Sequence, residues 1–209
     1  MITLDNIQPI AIHLYEDEWP KWCAEADEYF KSQGLNNVYW MTGIHGAKFG
    51  IKAARPYLRD NPEQNWHLGA HTVAGFLSGY MIYVVAYSHP EWEYIMFMEE
   101  DCIFRDGWKE NLEQALKDVP SDFDILYVGH CCTQGRETNH IKGNVYEVKY
   151  PLCGHCYIIA RKALPILIEN CRDACIPLDV LLFDYVHEKM KVYTIMPRLA
   201  DQHGTELPE

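Results

Sequence analysis

The chain has 209 residues, of which 48% are hydrophobic and 23% charged, and its formal net charge is −12 at pH 7. That length suits one ordinary domain with a full core, and the composition excludes a disordered chain. The negative balance argues against nucleic acid as a main partner, because phosphate backbones are bound through clustered Lys and Arg. A phosphorylated small molecule stays compatible if a metal ion supplies the local positive charge.

Met1 to Asn6 shows no basic stretch leading into an apolar core, so no secretory signal is expected. The eight cysteines then read as reduced thiols in a cytoplasmic protein. Gln8 to Leu14, which includes His13, predicts a first strand. Trp19, Trp22, Cys23, Ala26, Tyr29 and Phe30 recur at helical spacing, with Gly34 placed to cap that helix. Val38 to Met41 predicts a second strand, followed by the loop Thr42-Gly43-Ile44-His45-Gly46 and an irregular stretch over 47–66. From Gln64 to Pro90 there is no Asp, Glu, Lys or Arg. A membrane span needs about 20 mainly apolar residues. His67, His71, Ser78, Gly75 and Gly79 interrupt this stretch, which predicts a helix over 69–88 buried across a sheet face, with no transmembrane segment.

Further strands are expected at 94–98, 123–128, 145–148, 155–160 and 192–196, with helices over 108–119, 161–170 and 179–189 between them. Strands alternate with helices without linker or repeat. The expectation is a single α/β domain over residues 1–209, Rossmann-like, with a mostly parallel central sheet flanked by helices.

The most informative segment is Tyr94-Ile95-Met96-Phe97-Met98-Glu99-Glu100-Asp101-Cys102-Ile103-Phe104. An apolar run bounded by charge reads as a strand buried on both faces, and open α/β sheets bind ligands at their strand tips. Three adjacent carboxylates repel one another, and a hard divalent cation shared with a substrate's phosphates would compensate. In an extended segment Glu99 and Asp101 share a face while Glu100 points away.

Around this element the chain resembles the family 25 glycosyltransferases, of the lipooligosaccharide and collagen galactosyltransferase type. Phe97 to Cys102 is similar to that family's "LEDD" element, and Gly75-Phe76-Leu77-Ser78-Gly79 to its "GC-x-LSH" helix, with Gly79 in place of histidine. Gly43-Ile44-His45-Gly46 resembles its "A-x-D-G" loop without the Asp. Gly154 to Ala163 resembles "GT-x-AYLISRKGA", Ile176-Pro177-Leu178-Asp179 the "PID" turn, and Pro197 to Gln202 the closing "P-x-x-x-x-Q". The basic residues usual after the first strand are replaced by Glu16-Asp17-Glu18.

The resemblance implies a GT-A fold and a metal-dependent transfer of a hexose from a nucleotide sugar, with UDP-hexose as donor, to a glycan or glycoconjugate acceptor. It implies Mn²⁺ or Mg²⁺ as cofactor, with Asp101 as main metal ligand and Glu99 as second ligand or ribose contact. Glu100, His13 and Ser78 are counted with these as donor-site residues. Asp179 would orient or deprotonate the acceptor hydroxyl, although an Asp there also suits the start of a helix. His203 would add a late metal ligand, since imidazole is acceptable to Mn²⁺. His155 would line the acceptor site.

Cys153-Gly154-His155-Cys156 and Cys131-Cys132 also suggest zinc or thiol redox chemistry, but the adjacent pair lacks the spacer that lets two thiolates chelate one ion. Trp66 and Trp92 are candidates for stacking on sugars. Two rival functions stand beside the transferase: a metal-dependent phosphodiester hydrolase, and a non-catalytic glycan-binding or scaffold domain of the same fold.

Overall fold

The computed structural model describes residues 2–13, 19–46, 69–131, 137–149, 151–172, 177–182 and 186–203. Leu14, Glu16, Asp17 and Glu18, the stretch 47–68 with Trp66, Cys132 and Ile176 lie outside the described residues, as do the side chains of Trp19, Trp22 and Cys23.

Ten strands form one sheet among the described residues: β1 (Ile7–His13), β2 (Tyr39–Thr42), β3 (Tyr94–Glu99), β4 (Cys102–Phe104), β5 (Ile125–Cys131), β6 (Glu137–Lys142), β7 (Val145–Val148), β8 (Leu152–Ala160), β9 (Val192–Ile195) and β10 (Ala200–Gln202). The order is β2-β1-β3-β8-β5-β9-β7-β6, with β10 pairing β5 and β4. The α/β class is as expected, but the sheet is mixed rather than mostly parallel. β1 runs parallel to β2 and β3, and β5 to β9 and β10, whereas β8 is antiparallel to both neighbours and β6, β7 and β4 also pair antiparallel. Hydrophobic periodicity predicts a strand's existence and not its direction, so the inverted β8 had no signature in the sequence.

Alternation along the strands divides the core in two. Ile10, Ile12, Ile95, Phe97, Ile125, Tyr127, Tyr157 and Ile159 face one side, where they pack with α2 (Ala70–Ser88), α4 (Leu164–Asn170) and α5 (Leu178–Leu181). Ala11, Met96, Met98, Leu126, Val128, Cys156 and Ile158 face the other, against Phe30 of α1 (Trp19–Ser32) and Trp108, Leu112, Ala115 and Leu116 of α3 (Trp108–Asp118). Ile95, Met96, Phe97 and Met98 are all buried for this reason, two on each face of β3, as the apolar run predicts.

Gly34 caps α1 as expected, with φ +77°, and Leu35 N–H reaches back to the Phe30 carbonyl at 2.9 Å. α2 is long and apolar enough to cross a membrane by length and composition. Here it lies on the sheet with Val73, Phe76, Leu77, Ile82, Tyr83 and Ala86 in the core. Of the helix expected over 179–189, helical turns occur at Leu178–Leu181 and His187–Lys189.

The eight cysteines are not all reduced. Cys131 at the end of β5 and Cys153 near the start of β8 form a disulfide across a sequence separation of 22, while Cys102, Cys156 and Cys171 are buried thiols. Cys153 is thereby committed to Cys131, and Cys156 is paired into the sheet opposite Met98, so the CxxC does not act as a chelating pair.

Candidate active site

The parallel pair β1 and β3 ends with Ile12 opposite Glu99. Because β8 is antiparallel to β3, its beginning, Cys153-Gly154-His155, lies at the same end of the sheet as the carboxyl tip of β3. α2 and α5 close over this edge. The result is a cavity of about 400 Å³ lined by Ile12, Gly75, Ser78, Glu99, Glu100, Asp101, His155, Tyr157, Asp179 and Gln202, among others. The strand tip therefore gathers residues that lie far apart along the chain.

Four carboxylates, Glu99, Glu100, Asp101 and Asp179, line this cavity, and among the described residues no Lys or Arg does. The strand stops at Glu99, and Glu100 and Asp101 form the turn into β4. Strand alternation therefore does not extend through the triplet, and Glu100 joins the other two at the cavity instead of pointing away. Burial, followed by the negative charges of Asp101 and Glu100, pushes the Glu99 carboxyl from 4.5 up to about 8; a hydrogen bond from Gln202 Nε2 to Glu99 Oε2 at 2.5 Å opposes the rise. Asp101 is also raised, chiefly by burial, against the favourable fields of His155 and His203. Its Oδ1 is buried and has no hydrogen-bond partner among the described residues.

His155 is fully buried. Its Nε2 donates to the Ala200 carbonyl at 2.9 Å, which leaves Nδ1 as a lone pair without a partner among the described residues. Burial lowers its pKa, against the opposing pull of the Ala200 carbonyl and the nearby carboxylates. The imidazole fits only because position 129 is glycine: a Cβ there would lie 2.4 Å from His155 Nε2. Asp179 occupies the first turn of α5, where its Oδ1 accepts from Val180 N–H at 2.9 Å, fixing the carboxylate at the cavity wall.

The remaining expected site residues make contacts within the fold. His13 does not line the cavity; it is buried at the end of β1 and its Nε2 bonds Thr42 Oγ1 at 2.9 Å, tying β1 to β2. Ser78 does line it, but its hydroxyl accepts from Ile44 N–H at 2.8 Å and donates to the Ala74 carbonyl at 2.7 Å. Ser78→Ala should therefore lower stability by about 1–2 kcal/mol, read as a lower midpoint in urea. An unchanged midpoint would show that neither bond is needed. His203 is exposed and outside the lining, although its backbone N–H holds the Asp101 carbonyl at 2.8 Å.

Sequence reasoning gave Gln202 no role of its own. Its strand is fixed by Asp201, whose carboxylate takes Arg105 Nε and Arg198 Nε, each at 2.6 Å. Burial raises Asp201, but the two guanidiniums outweigh it and hold the carboxyl below its ordinary value. The ordered β10 then presents Gln202 to Glu99. The alternating charges of Arg198 and Asp201 just before Gln202 were the available signal.

No family model matches the chain, and no curated protein matches it in sequence. Similar solved structures exist. One is a glycosyltransferase involved in the glycosylation of the major capsid of PBCV-1, with 12% identity, a TM-score of 0.53 and 95% of each chain covered. Another is A197 from STIV, with 9% identity, a TM-score of 0.50 and 97% of each chain covered. At such identities the likeness establishes the fold. The chain has the GT-A fold of glycosyltransferases, with a mixed central sheet between helices.

Proposed function

We propose that this protein is a metal-dependent glycosyltransferase that moves a hexose from a nucleotide sugar, UDP-linked, to a glycan or glycoconjugate acceptor, as the resemblance to family 25 enzymes implies. The observation that carries this reading is the convergence of Glu99, Asp101 and Asp179 on one cavity at the strand tips of a GT-A fold.

The residues fit a divalent cation. Asp101 offers a buried oxygen without a partner among the described residues, and the charges of Asp101 and Glu100, after burial, push the Glu99 carboxyl up, a conflict that a cation would relieve. Among the described residues no three His, Cys, Asp or Glu side chains are grouped so that they alone could hold a metal ion. Mn²⁺ or Mg²⁺ would therefore be held by one or two of these carboxylates only together with the phosphates of a bound donor. Such an ion, when bound, stabilises the negative charge that develops on the leaving diphosphate. Asp101 and Glu99 would hold it, Gln202 orients Glu99, and Asp179 accepts the proton of the attacking hydroxyl.

The buried His155 Nδ1, without a partner among the described residues, would meet a hydroxyl of the bound sugar. The phosphodiester hydrolase is less well supported, because the fold is that of glycosyltransferases. Incubation with a panel of UDP-hexoses, Mn²⁺ and simple glycan acceptors tests the reading. The expected result is release of UDP that chelation stops. No consumption of any nucleotide sugar with any acceptor or metal would count against it.

A further inference from the structure

Three consecutive residues near the start of β8, Cys153, Gly154 and His155, line the cavity, and the sheet holds them loosely. The pairing of β3 with β8 ends at Met98 and Cys156. On the other side the β5 partners step from Gly129 opposite Cys156 to Cys131 opposite Leu152, so two residues of β5 span four of β8. The surplus makes a bulge of Cys153 to His155, a device that re-aims side chains beside active sites. Within it Cys153 has φ +56°, the one positive value outside glycine among the described residues. A residue with a Cβ adopts that conformation at a cost, so the surroundings must impose it.

Two bonds fasten the bulge. His155 Nε2 holds the Ala200 carbonyl at 2.9 Å, and Cys153 Sγ is bonded to Cys131, the last residue of β5. The first is buried within the core, whereas the second is covalent and chemically reversible. Cys131 is buried, but Cys153 is half-buried in the cavity wall, so a thiolate has its approach at the Cys153 sulfur. The four carboxylates of the cavity favour an uncharged dithiol over an anionic thiol as the reagent that enters.

We infer that the Cys131–Cys153 disulfide is a redox-operated latch on the cavity wall. Oxidised, it holds Cys153 to His155 bulged into the cavity; reduced by a dithiol, it lets this segment relax while the rest of the sheet persists. The chemistry balances. One thiolate of the dithiol attacks Cys153 Sγ and breaks the disulfide, and Cys131 leaves as a thiolate that takes up a proton. The second thiolate then attacks the dithiol's own sulfur in the mixed disulfide. Cys153 leaves and is protonated, and the reductant departs as a cyclic disulfide, having given two electrons. The latch is independent of which ligand the cavity takes.

The test follows backbone amide exchange by mass spectrometry in the unliganded wild-type protein, before reduction with dithiothreitol, after it, and after reoxidation with oxidised glutathione. Reduction should raise exchange over 152–156 by roughly 10-fold or more, leave β3 and the 157–160 part of β8 unchanged, and be reversed by the oxidant. Cys131→Ser should exchange over 152–156 as reduced wild type does and ignore the oxidant. The wild-type comparison decides by itself where that variant does not fold. Unchanged exchange over 152–156 after reduction would show that the sheet and His155 hold the bulge without the disulfide. A rise shared by β3 and α2 would make the disulfide a staple of the whole fold. Either result overturns the inference, as does a folded Cys131→Ser variant that exchanges like the oxidised protein.

Discussion

Asp101→Asn should abolish Mn²⁺-dependent binding of uridine diphosphate, a loss of at least about 100-fold or ~3 kcal/mol. Asp101 contributes the one cavity carboxylate oxygen that is buried and unpartnered among the described residues. An amide of the same shape keeps the local packing and the Asp101 carbonyl's bond from His203 N–H, but removes the charge that a hard cation requires. The substitution also relieves repulsion at Glu99, where the Asp101 charge is the largest contribution after burial. The unliganded variant should therefore melt no lower than wild type. A variant that still binds the nucleotide tightly with Mn²⁺ would remove Asp101 from the site.

The second large effect is a pH dependence at Glu99. Its folded-state carboxyl lies near 8 against an ordinary 4.5. Between those values the folded protein holds a proton that the unfolded chain has released, so unfolding releases protons and stability falls as pH rises from about 4.5 to about 8. The charged Glu99 then costs about 2–4 kcal/mol at pH 8 and above, after discounting for its partial contact with solvent. Glu99→Gln should cancel that decline. In a chain of this size its melting temperature at about pH 8.5 should exceed that of wild type by roughly 5–15 °C, and the two should converge near pH 4.5. Equal melting temperatures at both pH values would mean that Glu99 is not held in a charge-averse cavity. The gain in stability would accompany loss of metal-dependent binding, a usual relation at sites built from like charges.

Much of this arrangement was legible in the sequence because it is local. The apolar run before Glu99 reads as a strand buried on both faces, and β3 is central in the sheet between β1 and β8. The uncharged stretch before it reads as a helix lying on the sheet, and α2 spans Ala70–Ser88. The family resemblance also pointed to Asp179, and the fold brings it to the same cavity as the triplet.

What escaped the sequence is non-local or too short to carry a period. β4 and β10 have three residues each and pair with one another from the middle and the end of the chain. The hydrogen bond from Gln202 to Glu99 spans 103 positions. β6 is largely polar and sits at the sheet's edge, where no alternation is needed; the Gly143-Asn144 turn before β7 was its one local sign. The cysteine reading failed for the same reason. Cys131 and Cys153 meet because β5 and β8 are neighbours, and nothing at either position announces that pairing. Among the proposed donor contacts, His13 and Ser78 stand where expected along the chain, yet their polar atoms are engaged in holding β1, β2 and α2 together.

The central claim is that Glu99 and Asp101 form half of a site whose other half is a cation and a nucleoside diphosphate. The most direct measurement is the melting temperature of the wild-type chain with uridine diphosphate, recorded with Mn²⁺ and with chelator. A ligand at roughly 100 times its dissociation constant stabilises by about 2.7 kcal/mol, a rise of several degrees in a protein of this size. The expected result is that rise with nucleotide and Mn²⁺ together, and none with nucleotide and chelator. An equal shift under both conditions, or none under either, would contradict it.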